Sequence, residues 1–488
     1  AVDDPASITF ANLDIDQALS ILEDPSFLNQ DDASSATPFF ESEEEYTRFK
    51  ERHALQSQKG SGIAPGESVR AYLGIDCGST TTKFVLMAED GSLIDSFYAS
   101  NEGEPLDVAK KALTEMSERY ARQKSAIELL GVGTTGYGEM LMHEAFGADY
   151  HVVETVAHAK AACSTLPQAT FVLDIGGQDM KAIWLSDGIV TNIVVNEACS
   201  SGCGSFLENF ASTLGISTHD IAQAAFSSKR PAQLGSRCTV FMNSNIVTEQ
   251  RRGSTPADIM AGLCRSIIEN VFTKVIRLSN LDNLGNAIVV QGGTFMNDAV
   301  LRAFEEYLGK QVVRAPYPGL MGALGAAMLT QEHMEALRAA DPLVKSRFIG
   351  FEAAANLTYE QEQNLTCPFC ANHCNRTRLM FSNGRTFITG NRCPKGHVVG
   401  DAHDSETKKA LAKVAQEQAS VPNLFEERKT LLFKEYPYQQ LCPDRGIAIG
   451  LPRVLSLWDN APFWTTFFKA LGFGVKLSPF STRKIYES

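Results

Sequence analysis

From about residue 71 onward, short apolar runs alternate with turns rich in Gly, Asp and Thr. Tyr72-Leu73-Gly74-Ile75 enters the turn Asp76-Cys77-Gly78-Ser79-Thr80-Thr81-Thr82, and Lys83-Phe84-Val85-Leu86-Met87 leaves it. Asp90-Gly91 then marks a hairpin into Ser92–Tyr98, because that dipeptide suits a tight turn between strands. A helix over roughly 105–123 and the strand Leu129–Gly133 complete an α/β half-domain. The same order then returns. The strand Thr170–Leu173 leads into the turn Asp174-Ile175-Gly176-Gly177-Gln178-Asp179, followed by the strand Met180–Leu185, Asp187-Gly188 and the strand Ile189–Val195. Helices follow near 204–214, 218–226 and 256–280, with the buried strand Ile288–Gln291 ahead of Gly292-Gly293. Val300–Leu308 and Gly322–Leu337 read as closing helices. One unit written twice predicts two lobes with a cleft between them.

The flanks differ in character. Residues 1–70 are polar and acidic, with a charged helical stretch from Glu41 to about His53 and a glycine-rich linker at Gly60–Gly66. They read as a solvated connector. Lobe I is expected over 71–165 and lobe II over 166–340. A Cys-rich, metal-binding segment is expected over 341–420, including a charged helix at 405–420. Residues 421–488 read as the start of a further α/β domain, opened by Ile447-Ala448-Ile449-Gly450. The chain lacks an initiator Met and stops just after a strand and a turn, so truncation at both ends is expected.

Composition narrows the class. Among 488 residues, 44% are hydrophobic and the net charge is −13, without a Lys/Arg block. That argues against a nucleic-acid binder. No run of about 18 apolar residues indicates a membrane span, and the first residues are not a signal peptide. Eleven cysteines, several beside Gly or Pro in turns, favour metal ligation in a cytoplasmic protein over a disulfide framework.

The two Asp/Gly turns share one design. Glycines let backbone N–H groups approach phosphate oxygens, and the Ser79, Thr80 and Thr81 hydroxyls add donors. Asp76 and Asp174, at the strand ends, suit a hydrated Mg²⁺ or the orientation of an attacking water. Lys83 joins the first phosphate loop, Gly176 and Gly177 form the second, and Gly292-Gly293 offers the small residues a nucleoside packs against. Over about 71–335 the chain resembles the ATPase superfamily of actin, hexokinase and the heat-shock chaperones. The resemblance implies an α/β fold of duplicated ribonuclease-H-like lobes that bind ATP and Mg²⁺. Gln178 is a further candidate for orienting water. A sugar kinase would need a sugar-binding segment in the first lobe, and none is convincing.

Cys199 in Asn196-Glu197-Ala198-Cys199-Ser200-Ser201-Gly202-Cys203-Gly204 stands just ahead of an amphipathic helix, and Cys238 stands in a turn before another. Helix N-termini stabilise thiolates and anionic clusters. Two cysteines per chain do not close a four-ligand site, whereas a two-fold dimer supplies four. Spacing alone leaves open that both are small buried hydrophobes. Taken with Asp174–Asp179, the stretches Cys199-Ser200-Ser201-Gly202-x-Gly204 and Arg237-Cys238-Thr239-Val240-Phe241 resemble the ATP-dependent activators of 2-hydroxyacyl-CoA dehydratases. The ATP-binding subunits of benzoyl-CoA reductases are related to these. The resemblance implies a [4Fe-4S] cluster held by Cys199 and Cys238 at a homodimer or pseudo-dimer interface. It also implies a ferredoxin or flavodoxin donor and a dehydratase-like or reductase partner. Cys203 departs from the smaller members, which usually have Thr there. Residues 41–53 and the stretch from Leu451 to Gly472 resemble the connector and C-terminal opening of large multidomain members.

Cys367, Cys370, Cys374 and Cys393 form a CxxCxxxC…C set suited to Zn²⁺ or a second Fe–S cluster. Cys163, Cys264 and Cys442 read as structural, and Cys77 needs no chemical role. The competing reading is a small-molecule kinase or an ATP-gated binding protein with structural cysteines.

Overall fold

The computed structural model describes residues 37–55, 60–196, 202–278, 280–419 and 422–481. They form two compact units. The first runs to Glu362 and includes Arg378–Phe387, and the second comprises Gln363–Thr377 and the chain from Ile388 onward.

In the first unit a short helix, α1 (Glu43–Arg52), precedes β1 (Ser68–Cys77), β2 (Thr81–Ala88) and β3 (Leu93–Ser100). Helix α2 (Pro105–Arg122), β4 (Ala126–Thr135), α3 (Glu139–Phe146) and β5 (Tyr150–His151) complete the first half. Helix α4 (Glu154–Thr165) leads to β6 (Phe171–Ile175), β7 (Met180–Ser186) and β8 (Ile189–Asn196). Then come α5 (Gly204–Thr213), α6 (Ile221–Ser227), α7 (Thr239–Arg251), α8 (Pro256–Asn270), β9 (Ile288–Gln291), α9 (Asp298–Leu308), β10 (Val313–Arg314) and α10 (Met321–Ala340).

The sheet orders are β3-β2-β1-β4-β5 and β8-β7-β6-β9-β10. In each, the first three strands are antiparallel neighbours and the last two pair in parallel. The duplication expected from the turns is therefore a duplication of topology, and the fold is the paired α/β arrangement of the actin/hexokinase type. β1 and β6 are each flanked on both sides, so they run as almost unbroken apolar segments.

Two crossing helices lie between the sheets. α10 packs on β1 and β4 so closely that a Cβ on Gly74 would stand 1.9 Å from Ala323 O, and one on Gly133 1.8 Å from Thr330 Oγ1. α10 packs equally closely on α4, where a Cβ on Gly325 would meet Ala157 O at 1.8 Å. α4 in turn borders β6 and β7. Small residues along both helices make this approach possible. Helix α8 shows ordinary start chemistry, with Pro256 in its first turn and a reciprocal Thr255/Asp258 capping box.

The connector expectation does not extend to residues 37–53. Phe39 and Phe49 are buried in the core of the second lobe. Arg302 bonds Glu45 and the Phe39 carbonyl, and His53 Nε2 lies 3.0 Å from Glu305 Oε1. Glu45, Lys50 and Arg52 of α1 have their partners on α9, while Glu43, Glu44, Arg48 and Glu51 face solvent.

Three further strands, β11 (Tyr359–Thr366), β12 (Asn375–Phe381) and β13 (Thr386–Thr389), form a small sheet. The second unit also holds α11 (Ser405–Ala419), α12 (Leu424–Phe433) and a parallel pair, β14 (Ala448–Leu451) with β15 (Gly474–Leu477), joined through α13 (Ala461–Ala470). A strand–helix–strand crossover there agrees with the start of a further α/β domain. Among the described residues no helix is long and apolar enough to cross a membrane.

Candidate functional site

Each sheet ends in a buried aspartate at the same place. Asp76 closes β1 opposite Lys83, and Asp174 closes β6 opposite Lys181. The carboxylates are 1% and 3% exposed. Lys83 Nζ reaches Asp76 Oδ2 at 2.9 Å. Burial works against the Lys83 charge, but the Asp76 carboxylate outweighs it and raises the lysine pKa. Asp76 Oδ1 has no hydrogen-bond partner. A buried carboxylate oxygen left so is costly, and a hydrated Mg²⁺ is the kind of partner that relieves it.

Around Asp174 the buried charges find partners within the chain. His158 Nδ1, from α4, stands 2.7 Å from Asp174 Oδ2, without hydrogen-bond alignment. Lys181 Nζ lies 2.9 Å from Glu154 Oε1, and His158 Nε2 3.6 Å from the same oxygen. Lys181 Nζ also reaches Asp179 Oδ2 at 2.5 Å, so three carboxylates face two cations. Burial disfavours the His158 charge, but Asp174 and Glu154 outweigh it and push its pKa up to about 10. Burial likewise opposes ionised Asp174, yet His158 and Lys181 hold its carboxyl below the usual range. Gln291 Nε2 donates to the His158 carbonyl at 3.4 Å and ties β9 into this cluster.

The first turn is braced from behind. Gly78 N–H donates to Thr81 O at 2.9 Å, and Asn101 donates through its backbone to Thr80 O and through Nδ2 to Gly78 O, both at 2.8 Å. With those carbonyls engaged inward, N–H groups and the exposed Ser79 remain on the outer side, suited to an anion. In the second turn Gly176 N–H donates to Asp179 O at 2.9 Å. Gly176 O accepts from Gly204 N–H at 2.9 Å and Thr294 Oγ1 at 3.1 Å, and Gly177 O accepts from Ser205 N–H at 2.8 Å. The first amides of α5 are thus bonded to this turn. A Cβ on Gly204 would lie 2.5 Å from Thr294 Oγ1, so a larger residue would displace that side chain. Gly177 faces Thr80 of the first turn, whose Oγ1 would lie 3.9 Å from a Cβ. Gln178 is exposed at the tip.

Gly292 adopts φ +90°, and a Cβ there would lie 2.3 Å from Ile175 O. Gly293 faces the Tyr98 hydroxyl of the first lobe. Between these elements opens a cleft of about 870 Å³, bordered by Gly177, Gly204, Gly293, Thr294 and Tyr98. That volume is of the order expected for a nucleotide-sized ligand. Gly322, in the first turn of α10, brings the two aspartate centres together: a Cβ there would stand 2.6 Å from Asp76 Oδ2 and 2.8 Å from His158 Nε2.

Cys199 lies outside the described residues. Cys203 is buried at the start of α5, within the core of the second lobe, which agrees with a packing role. Cys238 is half-buried at the N-cap of α7, beside Val240 and Phe241, which are 75% and 65% exposed. The turn ahead of it is pinned to α8 by Ser266 Oγ to Gly235 O at 2.7 Å and Asn270 Nδ2 to Arg237 O at 3.1 Å. Cys238 is thus a fixed thiol at a helix N-terminus beside exposed apolar side chains. Among the described residues, no three His, Cys, Asp or Glu side chains gather to hold a metal ion. That includes the second cysteine set. Cys367 N–H donates to Cys374 O at 2.9 Å, closing the loop, with Cys367 buried, Cys370 exposed and Cys374 and Cys393 half-buried. The expected four-thiol ion site is not assembled there.

Residues 73–330 match the BadF/BadG/BcrA/BcrD ATPase family, and residues 448–488 match the CoA enzyme activase uncharacterised domain. The chain belongs to this ATPase family. Among similar proteins, the (R)-2-hydroxyglutaryl-CoA dehydratase activating ATPase of Acidaminococcus fermentans is 32% identical over 256 residues, 52% of this chain and 95% of that protein. The activator of lactoyl-CoA dehydratase of Anaerotignum propionicum is 32% identical over 261 residues, 53% of this chain and 97% of that protein. Among solved structures, the activator of the 2-hydroxyisocaproyl-CoA dehydratase from Clostridium difficile, with bound ADPNP, is 26% identical and aligns with a TM-score of 0.49 over 56% of this chain and 99% of that one.

All three glycine turns fall inside the span matched by the ATPase family, whereas α1 and Cys367–Cys393 fall outside it. Several residues that surround these turns are not evident from the turns alone. Lys181 repeats the Asp-to-Lys spacing of Asp76 and Lys83, a signal available in the sequence. Glu154, His158, Asn101, Thr294 and Gly322 carry no such mark, because each meets its partners only through the fold.

Proposed function

We propose that this ATPase uses nucleotide hydrolysis to deliver single low-potential electrons to a 2-hydroxyacyl-CoA dehydratase-like enzyme or a related reductase. One contact supports this above others: the Gly176 and Gly177 carbonyls accept the first amides of α5, at Gly204 and Ser205. A phosphate drawn onto that turn pulls on a helix that starts five residues after Cys199.

In this proposal the turn amides and the Ser79, Thr80 and Thr81 hydroxyls bind phosphate, and Asp76 and Asp174 would hold Mg²⁺ through water. Lys83 neutralises charge beside Asp76. Gln178, with Asp174, orients water. ATP does work only where its contacts differ between open and closed lobes, and a triphosphate touching both Thr80 and Gly177 binds the closed form better. Cys199 and Cys238, from two subunits or from sister repeats, would hold a [4Fe-4S] cluster, which when bound stores one electron. A ferredoxin or flavodoxin supplies that electron, and the cycle runs in the cytoplasm. The names of the relatives, activators of CoA-ester dehydratases, support the choice of partner. A sugar-type kinase or ATP-gated binding protein is the competing function.

Anaerobic purification with iron and sulfide analysis separates them. The wild type is expected to be brown and to retain about four irons per dimer or repeat pair, with Cys238→Ser and Cys199→Ser both colourless. A colourless, iron-free wild type that phosphorylates an added acceptor would defeat the proposal.

A further inference from the structure

Helix α1 lies outside the family span yet forms part of the cleft wall, through Tyr46 and Lys50. We propose that α1 is a working part of the nucleotide site, with Tyr46 and Lys50 contacting the nucleoside end of ATP or ADP. This inference rests on reading the cleft as the nucleotide site.

The glycine turns occupy one part of the lining, and they offer backbone donors and no side chains. Tyr46, Lys50, Phe226 and Asp298 supply side chains of a different chemistry to the same cavity. Lys50 Nζ lies 2.6 Å from Asp298 Oδ2, and Arg314 Nη1 lies 2.7 Å from Asp298 Oδ1. The carboxylate is thus fixed from both sides, and its remaining lone pairs are acceptors suited to ribose hydroxyls or an exocyclic amine. An ammonium has three donors, and Asp298 takes one from Lys50, whose side chain is 50% exposed. Tyr46 stands edge-on to Phe226 with ring centroids 5.8 Å apart, giving the cavity an aromatic side against which a flat base can lie.

The helix carrying these groups is rigidly seated. Phe49 is 1% exposed, Glu45 pairs with Arg302, and Arg52 and His53 converge on Glu305. Every one of these partners lies on α9, which starts directly after the Gly292–Met296 turn. Nucleoside binding and the seating of α1 therefore draw on one set of residues. The chain N-terminal to the ATPase core gains a direct sense of whether nucleotide is present.

Binding of ADP to the intact chain tests this, by calorimetry on the wild type, Lys50→Met and Tyr46→Ala, with the melting temperature of each as the control for folding. Lys50→Met is expected to weaken ADP about tenfold, the loss of one charge-assisted contact, with an unchanged melting temperature. ADP is also expected to slow hydrogen exchange in residues 43–52. Undiminished ADP affinity in Lys50→Met would overturn the inference while leaving the nucleotide site intact. A wild type that binds no ADP would instead defeat the reading on which it rests. Should Tyr46→Ala unfold because it also supports Phe226, Lys50→Met alone decides.

Discussion

Two charged residues at equivalent ladder positions, Lys83 and Lys181, meet different surroundings. Lys83 pairs with Asp76 alone, whereas Lys181 and His158 sit among Glu154, Asp174 and Asp179. In the proposed cycle Asp76 is the metal neighbour and Asp174 positions the water. Asp174→Asn is expected to lower kcat for ATP by about a hundredfold or more and to leave nucleotide affinity within a few-fold, measured by single-turnover hydrolysis and equilibrium binding. Equal losses in affinity and rate would count against that role. His158 gives a pH signature. Its pKa rises from 6.5 to about 10 on folding, so the stability it contributes is complete below about pH 6.5 and is lost as pH rises through about 10. Melting temperatures between pH 6 and 10.5 should fall more steeply in the wild type than in His158→Gln, and parallel curves would refute this. At this scale the glycines and strand-end aspartates are legible in the sequence, because turn chemistry is local. His158 and Glu154 are not, because α4 is alanine-rich and its polar residues meet Lys181, Asp174 and Gln291 only after folding.

Among the elements, α1 departs furthest from expectation. Its charged sequence looks like a solvated stretch, but Glu45, Lys50 and Arg52 answer residues some 250 positions away. Local pattern does not reveal such pairing. Phe49→Ala is expected to destabilise the second lobe by about 3–5 kcal/mol, as for other buried aromatics, read from urea unfolding. The strands β11–β13 were likewise hidden, since Tyr359–Thr366 is polar almost throughout and the cysteines nearby draw the eye to metal binding. The core strands, by contrast, are plain in the sequence as short apolar runs ending in Asp-x-Gly. Helix α10 shows how an expected element acquires an unexpected task, because its first turn carries Gly322 against both Asp76 and His158. Gly322→Ala is expected to abolish hydrolysis with little loss of helix content, checked by circular dichroism beside the ATPase assay. Near-normal turnover would mean that Asp76 and His158 yield easily to a methyl group.

At the scale of the molecule the duplication of topology was readable from two copies of one turn, and the cleft followed from it. Nucleotide that engages Thr80 and Gly177 together should draw the lobes inward. A non-hydrolysable ATP analogue is expected to reduce the radius of gyration measured by small-angle scattering, and an unchanged value would argue for a static cleft. Helix α10 is translated last of the ATPase elements, yet the sheet it covers is the first to be made. Until α10 emerges, β1 and β4 have a bare apolar face, so a ribosome-bound chain halted near residue 300 should still be protease-sensitive in its first lobe. The two halves mature together or not at all, and splitting the gene between them would yield fragments that need each other to become soluble.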